Sequence, residues 1–203
     1  MPKPLIAAST IYREALRLLD EGGADALNAR NLAAALKCST RTLYQQVGKR
    51  DEMIKGLFEY YFSGLSLELE ESATWQECVV EWAATLRGAL LAHPNLSGLI
   101  GVEHRGPVIH YVERLLSVFL QSGFEEDLAV RSCRSLANVV ISLSLTEIKI
   151  PDTGSDGVLT TGEKTEYDQE LIAIKGSSLQ NPPEGFNNTI DWIIRGVELE
   201  RGR

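Results

Sequence analysis

Apolar residues recur at helical spacing along almost the whole chain, and this periodicity constrains the fold more than any other feature. No segment shows the sustained alternation of apolar and polar residues that is typical of a half-buried strand. The first predicted helix, at about residues 5–21, places Ile11, Ala15 and Leu19 on one face and ends at Gly22. We therefore predict an all-α fold.

The same pattern predicts the remaining helices and their ends. Thr74 and Glu77 have the spacing of a capping box, which indicates the start of a helix. Further helices are predicted at about 51–70, 74–92, 107–122, 125–149, 166–175 and 188–200. Residues 151–165 are rich in Gly, Asp and Thr, and we interpret them either as disordered or as a lid over a cavity. A loop containing proline and glycine is expected before the last helix, up to Gly185.

Composition places the chain among ordinary globular proteins. Its 203 residues fit one large domain or a small domain joined to a larger one, and 44% hydrophobic residues can form a packed core. No uninterrupted apolar run has the length of a membrane span, and the N-terminus lacks the pattern of a signal peptide. We therefore expect a cytoplasmic protein without a membrane partner.

Charge is divided unevenly along the chain. The net charge of −8 argues at first against nucleic acid, because binding to phosphates depends on clustered Lys and Arg. Residues 1–55, however, hold nine basic and six acidic side chains, whereas residues 56–203 hold 11 basic and 22 acidic ones. This asymmetry indicates a small anion-binding head on an acidic body.

The basic head contains the spacing of a helix-turn-helix between residues 28 and 54. Asn28 can cap one short helix, Lys37 and Cys38 make the turn, and Ser39 can cap a second helix. In the second helix Leu43 and Val47 form an i, i+4 pair that faces the core. The same spacing is also compatible with an ordinary helical hairpin that has a solvated polar face.

The opposite face of the second helix carries groups that can read DNA bases. Arg41 can donate two hydrogen bonds to guanine, Gln45 can pair with adenine, and the methyl group of Thr40 can pack on thymine. Tyr44 and the basic cluster at 49–55 are suited to phosphate oxygens, which fix register without reading sequence.

The run from residue 23 to residue 54 resembles the N-terminal DNA-binding domain of the tetracycline-repressor (TetR) family. The resemblance rests on Arg30, Leu32-Ala33, Ser39, Thr42-Leu43-Tyr44 and Lys49-Arg50-Asp51. Beyond this run the likeness is one of helix lengths and order. The chain departs from the family pattern at Lys37, where a turn glycine is usual, at Asn28, and at Gln45-Gln46, where histidine is frequent.

The resemblance implies a homodimeric transcriptional regulator, usually a repressor, that leaves its operator DNA when a small molecule enters the C-terminal domain. It implies a helix-turn-helix domain at residues 1–55 and a ligand-binding and dimerisation domain at 56–203, connected by the helix at 51–70. The residues carried over as DNA contacts are Asn28, Arg30, Ser39, Thr40, Arg41, Thr42, Tyr44, Gln45, Lys49 and Arg50.

Three histidines invite an enzymatic or metal-binding hypothesis, but their spacing argues against it. His104 and His110 are six residues apart with a helix start between them, whereas a helical zinc pair needs an i, i+4 spacing. No nucleophile motif, glycine-rich phosphate loop or paired carboxylates are visible. We therefore expect neither an enzyme nor a metal or cofactor site.

Candidates for the lining of a small-molecule site are chosen for aromatic, apolar and polar character within the C-terminal helices. They are Trp82, Leu86, His104, His110, Leu116 and Asn138. Core packing is the alternative role for each of the apolar ones.

The dimer is expected to form through the helix at 125–149 and the last helix, since both combine apolar faces with small residues. The small residues named for close approach are Ser132, Ala137, Ser144 and Gly196, and Val140 and Ile193 are the apolar positions expected in the interface. The competing hypothesis is a helical small-molecule binding or enzymatic domain whose helix-turn-helix does not bind DNA. Exposure of Thr40, Arg41 and Gln45 would favour DNA binding over this alternative.

Overall fold

The described part of the chain is helical throughout, which confirms the all-α prediction. The computed structural model describes residues 6–65, 73–100, 106–149 and 182–202. The helices in these ranges are α1 (Ala8–Ala26), α2 (Ala29–Ala35), α3 (Thr40–Val47), α4 (Arg50–Ser63), α5 (Trp75–Ala92), α6 (Pro94–Ser97), α7 (Gly106–Gln121), α8 (Glu126–Lys149) and α9 (Pro182–Arg201). The predicted loop at 151–165 and the short helix at 166–175 lie outside the described residues.

Helices α1 to α3 pack around the N-terminal part of one continuous apolar core. Ile11 and Leu19 of α1 are fully buried, as is Leu32 of α2, and Leu43 of α3 is nearly so. The predicted end of α1 appears as a break at Gly23, where φ is +70° and the helix axis is interrupted. A left-handed backbone at that point favours glycine because glycine has no Cβ to clash.

Helix α4 joins the N-terminal helices to the rest of the molecule. It is shorter than predicted, since the described helix ends at Ser63 rather than near residue 70. Its buried residues Leu57 and Phe58 belong to the same apolar core as α1 and α7. The Tyr61 hydroxyl donates to the carbonyl of Ala89 in α5 at 2.9 Å, which fastens α4 to the C-terminal helices.

The C-terminal helices form a bundle in which α5 packs against α7, α8 and α9. The predicted capping box is confirmed, because Thr74 Oγ1 accepts from the backbone N–H of Glu77 and the Glu77 carboxylate accepts from that of Thr74. Arg87 of α5 makes a bidentate ion pair with Glu147 of α8, and the shorter of the two contacts is 2.7 Å. Such a pair fixes the register of two helices through directional bonds.

Helix α8 contains the one long apolar stretch of membrane-spanning length found among the described residues. By length and composition it could cross a membrane, with a mean hydropathy of 1.3 over its best window. Core helices of globular proteins have the same property. Here Ala129, Leu136 and Val140 are buried against the other helices of the bundle, so the apolar face of α8 belongs to the protein core.

The structure corrects the prediction of which α8 residues face outward. Val140 is completely buried within the protomer, and Ser132, Ala137 and Ser144 are buried beside it. The Ser144 hydroxyl donates to the carbonyl of Val140, one turn earlier in the same helix. These residues therefore line the protomer interior and are not available to a second subunit.

The last helix also begins earlier than predicted. The expected loop up to Gly185 is wrong, because α9 starts at Pro182. Proline is compatible with the first turn of a helix, where the backbone N–H groups have no partner within the helix. Phe186, Ile190 and Val197 are buried on the inner face of α9.

Candidate nucleic-acid interface

Two short helices, α2 and α3, form the predicted helix-turn-helix. Leu32 and Ala33 of α2 and Leu43 and Val47 of α3 are buried, so each helix keeps only one face for solvent. The Leu43 and Val47 pair lies inward as its i, i+4 spacing predicted. The remaining face of α3 is consequently turned away from the core.

The turn between the helices is a Schellman motif formed without glycine. The N–H of Lys37 bonds to the carbonyl of Ala34, and the N–H of Cys38 bonds to the carbonyl of Ala33. This is the hydrogen-bond pattern that ends many helices with a left-handed residue. Lys37 occupies the left-handed position with φ of +52°. The departure from the family pattern at Lys37 is therefore accommodated in the turn.

Both helices start at capping side chains that the sequence identified. Asn28 Oδ1 accepts from the backbone N–H of Asn31 at 3.0 Å, and Ser39 Oγ accepts from that of Thr42 at 3.1 Å. The hydroxyls of Ser39 and Thr42 also bond to each other at 2.8 Å. Asn28, Ser39 and Thr42 therefore already have structural roles at the helix starts, in addition to the DNA contacts predicted for them.

Four predicted base or phosphate contacts share the outward face of α3. Thr40, Arg41, Tyr44 and Gln45 are all exposed, and Tyr44 exposes 48% of its surface although it is aromatic. Among the described residues no acidic group lies within ion-pair distance of Arg41. The structure thus brings together an unpaired guanidinium, an amide, a phenol and a hydroxyl on one short helix.

The predicted phosphate contacts fall into two groups. Lys49, at the start of α4, and Arg30 on α2 are exposed, with no acidic partner in ion-pair distance within the described ranges. Arg50 differs, because its Nη1 donates to the carbonyl of Leu27 at 2.6 Å and its Nη2 to that of Ala24 at 3.3 Å. Arg50 therefore fastens α4 to the end of α1, a role that its position beside Lys49 in the sequence did not indicate.

Gly48 positions this interface and was missed in the sequence. It ends α3 with φ of +73°, and a Cβ there would lie 2.2 Å from the carboxylate of Glu52. That carboxylate accepts from the backbone N–H of Lys49 at 2.8 Å. The signal was present, since a glycine directly after the last apolar residue of a helix is a common helix end.

A concave surface lies between the starts of α2 and α4 and the end of α3. Its volume is about 200 Å³, and Asn28, Tyr44, Lys49 and Arg50 are among the residues that line it. The predicted phosphate contacts Tyr44 and Lys49 thus share one depression beside the outward face of α3.

The predicted small-molecule residues are only partly brought together. Trp82 and Leu86 of α5 are fully buried, and the Trp82 indole N–H donates to the carbonyl of Tyr111 at 3.0 Å, with the two rings stacked. Leu116 is half-buried, whereas Asn138 is exposed on α8. His104 and the side chain of His110 lie outside the described residues.

The third histidine, His93, contacts α1 and α4. His93 Nδ1 lies 2.8 Å from Asp20 Oδ2, and its ring is edge-on to Tyr61 with centroids 4.8 Å apart. The interpretation of His93 as a residue that ends α5 agrees with its position between α5 and α6.

Comparison with known proteins identifies the family. The family model described as "Tetracyclin repressor-like, C-terminal domain" matches residues 68–200. An HTH-type transcriptional regulator of Saccharopolyspora erythraea is 32% identical over 97 residues, which cover 48% of this chain and 41% of that protein. The tetracycline repressor protein class E of Escherichia coli is 30% identical over 148 residues, covering 70% of this chain and 69% of the repressor. The chain thus spans well under half of the first relative and about two thirds of the second.

Solved structures show the same architecture. Apo ActR of Streptomyces coelicolor superposes with a TM-score of 0.81 and 26% identity over 98% of each chain. The ActR complex with actinorhodin superposes with a TM-score of 0.78 and 24% identity, over 98% of this chain and 99% of that one. Since the family model covers more than half of the chain and the E. coli repressor is 30% identical to it, the chain belongs to the tetracycline-repressor (TetR) family.

Proposed function

We propose that this protein is a homodimeric transcriptional regulator that binds a palindromic operator through α3 and leaves it when a small molecule binds the C-terminal helices. The observation that carries the proposal is the division of α3 into two faces. Leu43 and Val47 hold the helix to the core, while Thr40, Arg41 and Gln45 are exposed. A helical hairpin with only a structural role does not require these three exposed polar side chains.

The exposed groups match the chemistry of the DNA major groove. Arg41 can donate two bonds to the O6 and N7 atoms of guanine, and Gln45 can pair with N6 and N7 of adenine. At eight residues α3 is short enough to enter the groove with its first turns against base edges. We assign base reading to Thr40, Arg41 and Gln45.

Phosphate contacts are assigned to the residues around this helix. Tyr44 and Lys49 line the same depression, and Arg30 is exposed on the neighbouring α2. A cation and a phenol can bind phosphate oxygens and fix the register of the helix without reading sequence. Asn28, Ser39 and Thr42 remain candidate contacts that also cap or brace the helices, and Arg50 contributes by holding α4 in place.

A homodimer follows from the size of the reading surface and from the outer face of α9. One short helix buries too little surface for tight specific binding, so two half-sites are needed. Trp192 and Leu199 lie seven residues apart on α9 and expose 68% and 72% of their surfaces. Large apolar side chains exposed on one stripe are typical of a protein interface. We place the dimer contact on this stripe and on the outer face of α8, which carries Ser135 and Ser142.

The proposed effector site lies in the C-terminal helices, at about residues 71–200. Support comes from the family model over 68–200 and from the structural likeness to ActR, which was solved with actinorhodin. Trp82, Leu86, His104, His110 and Leu116 stay as candidate lining residues. Asn138 is the weakest candidate, because it lies on the outer face of α8 together with Ser135 and Ser142.

Release from DNA requires that the effector bind the non-operator conformation better. A differential of about 2.7 kcal/mol corresponds to a roughly hundredfold loss of operator affinity. By linkage, operator DNA must weaken effector binding by the same factor. Once a thermal-shift screen has identified a binder, titration with and without operator duplex measures both affinities. Equal effector affinities in the two titrations would contradict the inducer role.

Selection from random duplex DNA tests the DNA-binding proposal directly. The full-length protein should enrich a palindrome whose half-site centres are about 34 Å, or a multiple of that distance, apart. The matched control is a protein in which Thr40, Arg41 and Gln45 are replaced by alanine, which should enrich no consensus. Failure of the unaltered protein to enrich any sequence would favour the alternative of a helical domain that does not bind DNA. A DNA-reading protein shares the compartment of the DNA, so we also propose a cytoplasmic location.

A further inference from the structure

A small polar cluster joins the end of α1 to the break between α5 and α6. His93 stands between these two helices, and its Nδ1 lies 2.8 Å from Oδ2 of Asp20 in α1. Two residues later, the side-chain amide of Asn95 donates to the carbonyl of Leu19 at 2.9 Å. One short segment of the C-terminal bundle therefore holds two consecutive residues of α1.

The same segment also contacts α4. The ring of Tyr61 is edge-on to the ring of His93, and its hydroxyl bonds to the carbonyl of Ala89 in the last turn of α5. Leu19, whose carbonyl accepts from Asn95, is itself fully buried in the core. The α5–α6 junction thus contacts both α1 and α4. It lies at one end of the reading head, the N-terminal domain formed by helices α1 to α3.

Two attachments constrain a rigid body more than one does. Helix α4 is the covalent link between the reading head and the C-terminal bundle, and a head held by α4 alone could turn about the axis of that helix. A second attachment on α1, away from that axis, opposes such a rotation. The distance and angle between the two recognition helices of a dimer would then depend on both attachments.

We propose that Asp20, His93 and Asn95 form an interdomain clamp that sets the orientation of the reading heads. These are positioning residues, since none of them belongs to the outward face of α3. The inference rests on the proposed function and adds a second route, through α1, by which a movement at the α5 and α6 junction reaches the heads. The sequence alone did not indicate this route, because residues 20 and 93 are far apart along the chain.

The chain offers a matched control on the next residue. Glu21 lies beside Asp20 on α1 but pairs with Arg17 within the same helix. Asp20→Ala and Glu21→Ala each remove one carboxylate from α1, but only Asp20→Ala removes a contact with the C-terminal bundle. A difference between them therefore reports the clamp and not the local charge.

The test measures how strictly the dimer requires the spacing of its half-sites. Duplexes carry the palindrome found by selection, with one base pair added or removed between the half-sites, and a further duplex carries a single half-site. For Asp20→Ala, His93→Ala and Asn95→Ala we expect the preference for the selected spacing to fall about tenfold, as loss of one hydrogen bond would allow. Affinity for the single half-site should not change, because the head and α3 remain intact.

Two further comparisons separate the outcomes. Glu21→Ala should keep the full spacing preference. The double variant Asp20→His/His93→Asp, in which the two side chains exchange positions, should regain the spacing preference that the single alanine variants lose. An unchanged spacing preference in Asp20→Ala and His93→Ala would overturn the clamp, as would an equal loss in Glu21→Ala. The absence of any palindrome in the initial selection would instead overturn the proposed function, so the two failures are distinguishable.

Discussion

Lys37 is the only residue other than glycine with a positive φ among the described residues. A left-handed backbone costs an ordinary residue about 1–2 kcal/mol relative to glycine, because the Cβ approaches the carbonyl oxygen. Lys37→Gly should therefore raise the free energy of unfolding, by roughly 0.5–1 kcal/mol after the greater entropy of an unfolded glycine is subtracted. Urea denaturation of the full chain measures this change. Lys37→Ala keeps the Cβ and should not stabilise, so equal gains in both variants would contradict a strain-relief explanation.

Arg41 and Lys49 illustrate two kinds of DNA contact. Arg41→Ala should weaken binding to the selected operator by about 1–3 kcal/mol and relax the preference at one base position. Lys49→Ala should weaken all sequences alike and reduce the slope of log affinity against log salt by about one. Filter binding on operator and random duplex over a salt series measures both. An unchanged consensus and affinity in Arg41→Ala would show that α3 does not read bases.

Arg50 was grouped with Lys49 in the sequence, but its structural partners predict a different behaviour. Its guanidinium bonds to the carbonyls of Leu27 and Ala24. Loss of these bonds in Arg50→Ala leaves two backbone carbonyls without that donor. We therefore expect the substitution mainly to lower the stability of the folded N-terminal helices. This distinction arises from atomic contacts that neighbouring positions in a sequence do not contain.

At the scale of helices, the effect of an added carboxylate depends on which face of α8 or α9 carries it. Trp192→Glu places a carboxylate on the exposed stripe of α9, where it would be buried against a second subunit. We expect monomers at micromolar concentration, measured by sedimentation. Asn187→Glu adds the same charge at an exposed α9 position on another side of the helix and should leave the dimer intact. Intact dimers in Trp192→Glu would move the interface away from this stripe.

Val140→Glu places the same charge on the buried face of α8 rather than on an exposed stripe. Val140 is completely buried within the protomer, so a carboxylate there lacks a partner in the core and should unfold the C-terminal bundle. At the dimer interface, where the sequence pattern placed Val140, the same substitution would instead give monomers. An apolar face that recurs along a helix cannot by itself show whether it meets its own chain or a second one.

At the scale of the whole molecule, a buried tyrosine makes the free energy of unfolding depend on pH in the alkaline range. Burial raises the pKa of Tyr111 to about 12, from an unfolded value of 10.0. Above pH 10 the unfolded state releases this proton more readily than the folded state, so the free energy of unfolding falls as pH rises toward 12. Tyr111→Phe should show a shallower decline in urea midpoint across this range. Identical slopes in the two proteins would mean that Tyr111 does not titrate as its burial requires.

The sequence by itself determined the features that depend on neighbouring residues. Helical periodicity gave the all-α class, and short-range capping patterns at Asn28, Ser39 and Thr74 located three helix starts. The pair Leu43 and Val47 oriented α3, because residues four apart lie on the same side of a helix. For the same reason, the exposed set on the other side of α3 could be named without a structure.

Only the tertiary structure decided which partner each surface meets. The sequence placed Ser132 and Val140 at a dimer interface, and the structure buries them within their own chain. Arg50, predicted as a phosphate contact, also bonds to backbone carbonyls of its own chain. The structure also brings Asp20 to His93, a contact across 73 positions of the chain. Such contacts arise when helices pack, and packing depends on side chains from several helices at once. Local spacing fixes the face of a helix, whereas the fold fixes what that face touches.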